Sequence, residues 1–223
     1  MSDKNIEIIE KLKEFDSPTV FNAMVEKLGL PNEDYTSHEI RYLSPEFGTV
    51  AGYAVTAEIT TNDPDSPRIE WIDFYEHMND QGAPFFTVMK DVDSNPGRGA
   101  GFGDGMARLY KRLGAAGAIL DGSVRDLAGI RAVGLPIWGW GCVPGHGVFN
   151  LTRFNEPVTV GQTRIRPGDI IVADADGCVR VPTEHAEDIL RLAGEVRAKE
   201  AAVFGFYDAP DFTMDKLREK FKR

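Results

Sequence analysis

Apolar residues recur along this chain with two different periods, and the switches between them mark its elements. Near the start, Ile6, Ile9, Leu12 and Phe15 follow a helical spacing, and "DSPTVFNAMVEKLG" adds a second helix with Ser17 as N-cap, Pro18 at its first position and Gly29 as stop. These helices, about residues 1–30, form an N-terminal flank. "TVAGYAVTAEITT" (49–61) is rich in β-branched residues and predicts a strand; a polar loop and a helix near 68–80 follow, then a buried strand over "APFFTVMKD" (83–91). Beyond a glycine-rich stretch, "MARLYKRLGAAG" predicts a helix, "AILD" a short buried strand, "LAGIRAVG" a helix stopped by Gly134, and "LPIWGWG" a further strand. From 156 to 182 the pattern becomes an antiparallel meander, with a Gly-Gln hairpin, a Pro-Gly-Asp turn and an Ala-Asp-Gly turn between short strands. A long amphipathic helix, about 183–204, opens the C-terminal segment that runs to 223. Alternation in the middle and a meander after it predict an α/β fold of mixed sheets with flanking helices, in one domain over 1–223.

Composition removes several classes of function. The chain has 223 residues, 42% hydrophobic and 27% charged, the balance of a globular protein with a sizeable core. Its 35 acidic side chains outnumber 25 Lys and Arg, giving a formal net charge of -10 that repels nucleic acid and anionic lipid. No signal-like apolar core opens the chain and no run of about 18 apolar residues occurs, so a cytoplasmic protein without nucleic-acid or membrane partners is expected. Cys142 and Cys178 form no CxxC, which argues against a disulfide framework or thiolate metal site; both read as small buried apolar residues.

Candidate chemistry concentrates in "NPGRGAGFGDGMARLYKRLGAAGAILDGSVRD" (95–126). Gly99, Gly101, Gly103 and Gly105 follow a strand and lead into a helix whose first N–H groups, on Gly105, Met106 and Ala107, offer an anion seat; the same glycines also suit a plain turn. A dinucleotide fingerprint fails on spacing, because Asp104 or Met106 stands where its third small residue belongs, and no GK[ST] marks a phosphate loop. A divalent cation reconciles an acid with an anion seat, since hard ions take carboxylates and hold an anionic substrate on their remaining positions. Asp104 and Asp126 form the candidate pair, with Arg125 supplying a forked donor to a carboxylate or enolate oxygen. The same three residues also read as two helix N-caps and a surface ion-pair partner.

Other conspicuous residues have plainer readings. Lys90 at a strand end suits a Schiff base but also a snorkelling side chain, and His146 is the one histidine expected near substrate. Trp138 and Trp140 read as core or subunit contact, and Asp174 and Asp176 as turn residues.

Asp104, twenty intervening residues and then Arg125-Asp126 resembles the D-x20-R-D signature of class II pyruvate aldolases within the RraA-like family, which act on 4-hydroxy-4-methyl-2-oxoglutarate and 4-carboxy-4-hydroxy-2-oxoadipate. "VAGYAVT", "GAAGAILDGSVRDLAGIRAVGLPIWG", "VTVGQTRIRPGDIIVADADGCVRVP" and "EVRAKE" are similar to the same family, over about residues 17 to 200. The resemblance implies a β/β/α swivelling-domain fold, a homotrimer or homohexamer with sites at subunit interfaces, and a Mg²⁺ or Mn²⁺ requirement. It assigns Asp126 to the metal, Arg125 to the enolate, Asp104 to metal-bound water, and the loop of Gly103, Gly105 and Met106 to the carboxylate of a 2-oxo acid. Glu200 is the candidate for an acid donated by a neighbouring subunit. Cleavage of 4-hydroxy-2-oxo acids to pyruvate, with oxaloacetate decarboxylation, is the implied activity. "GFGDGMARLY" and "PGHGVFN" depart from the family pattern, and both concern the distal half of the substrate. The alternative is a non-catalytic regulator of ribonuclease activity, the role of RraA itself; retention of Asp104 favours the enzyme.

Overall fold

The computed structural model describes residues 3–221. Two helices, α1 (Asp3–Leu12) and α2 (Ser17–Asn22), open the chain, and a π-helical turn over Ala23–Lys27 continues the second. The cap of α2 is Asp16, not Ser17: Asp16 Oδ1 accepts the Thr19 N–H at 2.8 Å, three residues on, where a capping acceptor is needed. Ser17 instead turns its N–H and hydroxyl to Asp174. Gly29, at φ +68, ends the segment as expected.

Strands β1 (Arg41–Tyr42) and β2 (Val50–Thr60) precede α3 (Trp71–Gln81) and β3 (Phe85–Asp91). The helix expected near 68–80 starts only at Trp71, because Ile69 is held extended by its N–H bond to the Leu151 carbonyl, 2.8 Å. Next come β4 (Ala100–Phe102), α4 (Asp104–Leu113), β5 (Ala115–Asp121), β6 (Ser123–Val124), α5 (Leu127–Val133), β7 (Ile137–Gly139) and β8 (Gly141–Cys142). The meander comprises β9 (Asn150–Phe154), β10 (Val158–Val160), β11 (Thr163–Ile165), β12 (Ile170–Asp174) and β13 (Gly177–Val181), followed by α6 (Ala186–Tyr207) and α7 (Met214–Lys220). Gly161 and Gln162, at φ +46 and +70, make the two-residue turn between β10 and β11 that "VGQT" predicts.

The main sheet has the order β1-β7-β5-β3-β2-β12-β13, and β2 carries the change from parallel to antiparallel. One edge of β2 pairs with parallel β3; the other takes β12 at Ala51↔Val172 and β9 at Ile59↔Leu151, both antiparallel. Helices α3, α4 and α5 share one core with the sheet through Phe74, Tyr110 and Ile130, while α1, α2 and α6 share another through Leu12, Val20 and Ile189. Burying each such large side chain contributes about 2 kcal/mol. The β10–β11 hairpin closes a third cluster around Trp138, whose indole N–H donates to the Asp174 carbonyl at 2.8 Å. No helix among the described residues is long and apolar enough to cross a membrane.

A small parallel sheet, β4-β6-β8, stands apart from the main one. The glycine-rich stretch is therefore not wholly a loop: Ala100 pairs with Ser123 and Phe102 with Val124. Gly101 packs closely here, since a Cβ at that position would lie 2.4 Å from Ile59 Cδ1 and that side chain would have to shift. Cys142 lies on the outer strand of this sheet and is exposed, contrary to expectation, whereas Cys178 is buried.

Candidate active site

The carboxyl ends of β4, β6 and β8 point the same way, and each is followed by candidate chemistry. After β4 come Gly103 and Asp104, after β6 Arg125 and Asp126, and after β8 the loop containing His146. Parallel strands deliver successive loops to one edge, which is where α/β proteins gather ligand-binding groups. A cleft of ≈ 440 Å³ opens there, lined by Gly103, Asp104, Gly105, Met106, Arg125, Asp126 and the loop from His146 to Phe149, with Ala100 and Phe102. A larger cleft, ≈ 660 Å³, lies beside Glu58, Asp63 and Arg153, and none of the expected site residues lines it.

Neither aspartate caps a helix through its side chain. Asp126 stands at the N-cap position of α5 and Asp104 is the first residue of α4 behind Gly103, yet neither helix has a side-chain cap bond. Asp126 adopts φ +55 and ψ 36, a left-handed conformation that Asp tolerates better than most residues but that still costs of order 1 kcal/mol or more. Its Oδ2 lies 3.3 Å from Arg125 Nε, and Asp104 Oδ2 lies 3.8 Å from Arg108 Nη2. These side chains are 39% exposed for Arg125, 50% for Asp126 and 39% for Asp104. Ion pairs so exposed contribute about 0–1 kcal/mol, too little to account for the unusual backbone at Asp126.

Two glycines permit the close approach. A Cβ on Gly103 would come within 3.2 Å of Asp126 Oδ2, and one on Gly129 of α5 within 2.8 Å of Asp104 Oδ2. The Arg125 N–H donates to the Phe102 carbonyl at 2.8 Å, which locks the Arg-Asp pair to the end of β4. The Ala107 N–H donates to the Gly103 carbonyl at 3.0 Å, so it is not part of an anion seat; Gly105 and Met106 lie in the turn before any intrahelical acceptor exists.

Among the described residues no three His, Cys, Asp or Glu side chains gather at one point. Two half-exposed carboxylates on an open cleft do suit a hard ion of the Mg²⁺ type, which keeps several waters and needs only one or two protein carboxylates. Glu200 lies on α6 and does not line this cleft within one chain. Lys90 is also elsewhere: its Nζ donates to the Thr159 carbonyl at 2.8 Å and lies 4.0 Å from Asp121. His146 does line the cleft, with Nδ1 2.9 Å from the Gly147 carbonyl oxygen.

Three contributors escaped the sequence reading. Buried Asp93 accepts N–H groups of Thr61, Asn62, Asp63 and Asn95 and so holds the 61–63 loop, against whose Thr61 carbonyl Gly147 packs. Burial alone would raise the Asp93 pKa; the backbone N–H bonds outweigh it, and the pKa is lowered. Val148 and Phe149 form a wall of the cleft, and Phe149 stacks on Trp71 with centroids 4.8 Å apart. The Asp-x-Asp at the end of β3 hinted at the first, and "PGHGVFN" held the wall residues without showing which way they face.

The chain belongs to the RraA-like family: the family model described as Aldolase/RraA matches residues 17–180. It is 35% identical over 101 residues to a Halalkalibacterium halodurans protein bearing the provisional name 4-hydroxy-4-methyl-2-oxoglutarate aldolase, a match covering 45% of this chain and 48% of that protein. It is also 31% identical over 156 residues to the uncharacterized protein MJ0644 of Methanocaldococcus jannaschii, covering 69% of this chain and 71% of the relative. Among solved structures, Streptomyces coelicolor RraAS2, described as an unusual member of the RNase ES inhibitor RraA protein family, superposes with a TM-score of 0.73 at 28% identity. That superposition covers 88% of this chain and 95% of RraAS2.

Proposed function

We propose that this protein is a metal-dependent class II aldolase that cleaves 4-hydroxy-2-oxo acids to pyruvate and a carbonyl product, and that it also decarboxylates oxaloacetate. The observation that carries this reading is the meeting of Asp104, Arg125 and Asp126 in one cleft, beside the first-turn amides of Gly105 and Met106. A bound Mg²⁺ or Mn²⁺ supplies the electron sink that makes departure of the C3–C4 bonding pair feasible. Asp126 would hold the ion and Asp104 would hold water beside it, with Glu200 of a neighbouring subunit as a further donor in a homotrimer or homohexamer. The amides of Gly105 and Met106, reached past Gly103, receive the substrate carboxylate. Arg125 stabilises the negative charge that grows on the 2-oxo oxygen as the bond breaks, a role its fixed fork and permanent charge suit. Water beside Asp104 takes the C4 hydroxyl proton and returns a proton to C3.

The likeness to RraAS2 supports a second reading, a non-catalytic regulator of a ribonuclease acting by protein contact. The αL backbone at Asp126 and the glycine clearances around both carboxylates favour catalysis, because a contact surface has no need of them. Purified protein given Mg²⁺ and either oxaloacetate or a 4-hydroxy-2-oxo acid releases pyruvate on this proposal; EDTA abolishes release and Mg²⁺ or Mn²⁺ restores it. Borohydride with pyruvate traps no adduct, since no lysine among the described residues lines the cleft. Turnover no faster than with the metal alone would leave the regulator as the better reading.

A further inference from the structure

The cleft is lined by two unlike sets of side chains. One is charged, Asp104, Arg125 and Asp126; the other is apolar, Met106, Val148 and Phe149, with Trp71 stacked on Phe149 at an interplanar angle of 15°. Met106, Phe149 and Trp71 pack partly buried against the main core, so the wall is anchored, while Val148 stands 49% exposed at its edge. Phe149 keeps φ +55, a region that bulky residues rarely enter and that persists only where the surroundings over-determine it.

Charge points the same way. Among the described residues lining the cleft, Arg125 is the sole lysine or arginine, and His146 adds an imidazole. If a divalent cation matches the two aspartates, Arg125 leaves one fixed positive charge in the lining, already assigned to the 2-oxo oxygen, and the next, Arg108, lies 3.8 Å from Asp104 on the charged side. A second carboxylate seated against Val148 and Phe149 would meet no lysine or arginine there among the described residues lining the cleft, and would lose hydration without a paired charge.

We infer that the substrate is a 4-hydroxy-2-oxo acid whose C4 substituent is uncharged and aromatic, seated on Met106, Val148 and Phe149; the inference rests on the aldolase reading. In cleavage the C4 hydroxyl gives up its proton, the C3–C4 electron pair stays with C3 as the pyruvate enolate, and C4 becomes the carbonyl carbon of an aromatic aldehyde. One proton returns to C3, so atoms and charge balance with no oxidant.

The test is calorimetric titration of the protein with Mg²⁺, using three ligands that lack a C4 hydroxyl and do not cleave: pyruvate, 2-oxo-4-phenylbutanoate and 2-oxoglutarate. The phenyl ligand binds about tenfold or more tightly than 2-oxoglutarate, from ring stacking and the absence of a stranded charge. Val148→Lys, a change at a half-exposed position, shifts the ratio of the two affinities about tenfold toward 2-oxoglutarate, and Phe149→Leu lowers the phenyl preference. 4-Hydroxy-2-oxo-4-phenylbutanoate is cleaved to benzaldehyde and pyruvate with a higher kcat/KM than its C4-carboxylated counterpart. If pyruvate binds but 2-oxoglutarate binds as tightly as the phenyl ligand, this inference fails and the aldolase reading stands. Failure of pyruvate to bind, with no substrate cleaved, overturns both.

Discussion

Arg125 lies 3.3 Å from Asp126, and a side chain this exposed separates two roles cleanly on mutation. As an ion-pair partner it would contribute about 0–1 kcal/mol to stability and nothing selective to turnover. As the donor to a developing enolate, its replacement in Arg125→Lys lowers kcat by about 10²-fold while the melting temperature scarcely moves; steady-state assays beside thermal melts distinguish the outcomes. At Asp126 the informative change is to Asn, which also tolerates the left-handed backbone and so removes the charge without the conformation. Asp126→Asn weakens Mg²⁺ binding about tenfold or more in a direct titration, and unchanged affinity would take this residue out of the metal site. Asp93 acts on stability instead. Asp93→Ala leaves buried N–H groups of the 61–63 loop without their acceptor and costs about 3 kcal/mol in chemical denaturation. Because the Asp93 pKa is lowered in the folded protein, its contribution is complete above the ordinary aspartate value, near 3.8, and is lost as pH falls through the lowered value. The stability gap between wild type and Asp93→Asn therefore narrows in acid, as melts below pH 4 would record.

Among the elements, α4 and α5 meet at the point that most directly controls the site. Gly129 sits within α5, where alanine would ordinarily gain about 0.5–1 kcal/mol of helix stability. Its added Cβ, however, would come within 2.7 Å of Asp104 Cβ, an atom fixed to the α4 backbone that no rotamer change can move, so α4 and α5 must part. Gly129→Ala thus lowers stability despite the helix gain and lowers turnover by displacing Asp104, a combination that melting and kcat measured on one preparation would show. Unchanged stability with normal turnover would mean that the two helices part without strain and that Asp104 keeps its place. The three-stranded sheet explains why these helices start where they do, since β4 and β6 run parallel, with a register shift between Ala100 and Phe102, and deliver Asp104 and Asp126 to the same edge.

For the whole molecule, the C-terminal arm stands out for its exposed large apolar side chains among the described residues. The buried side of α6 ends at Val196, and beyond it Phe204 and Tyr207 are 55% and 44% exposed. Helix α7 folds back only far enough to bring Phe212 within 5.6 Å of Phe206 and Lys220 over the same ring. Apolar surface of this kind is commonly subunit contact, in keeping with the proposed homotrimer or homohexamer and with Glu200 on the same helix. Light scattering should return three or six times the 24.6 kDa chain mass, and Phe204→Glu should reduce it. A monomer in solution would remove Glu200 from any site in a neighbouring chain.

Much of this was legible in the sequence because it depends on short-range pattern. Helical and strand periods place α4, β5 and α5 close to where they lie, the Gly-Gln pair marks its hairpin, and the spacing of Asp104 from Arg125-Asp126 matches one β-α-β passage, so the convergence of the three is a local consequence of chain direction. Tertiary structure decided the rest. Asp16 rather than Ser17 caps α2 because Asp174, distant in sequence, takes the serine; β4 forms within a run of glycines because β6 is there to pair with it; and Cys142 is exposed because β8 is an outer strand. The apolar wall at Val148 and Phe149 depends on Trp71 and on a left-handed residue, neither of which leaves a periodic trace. Element boundaries follow from neighbours along the chain, whereas the direction of a loop side chain follows from whatever the fold packs against it.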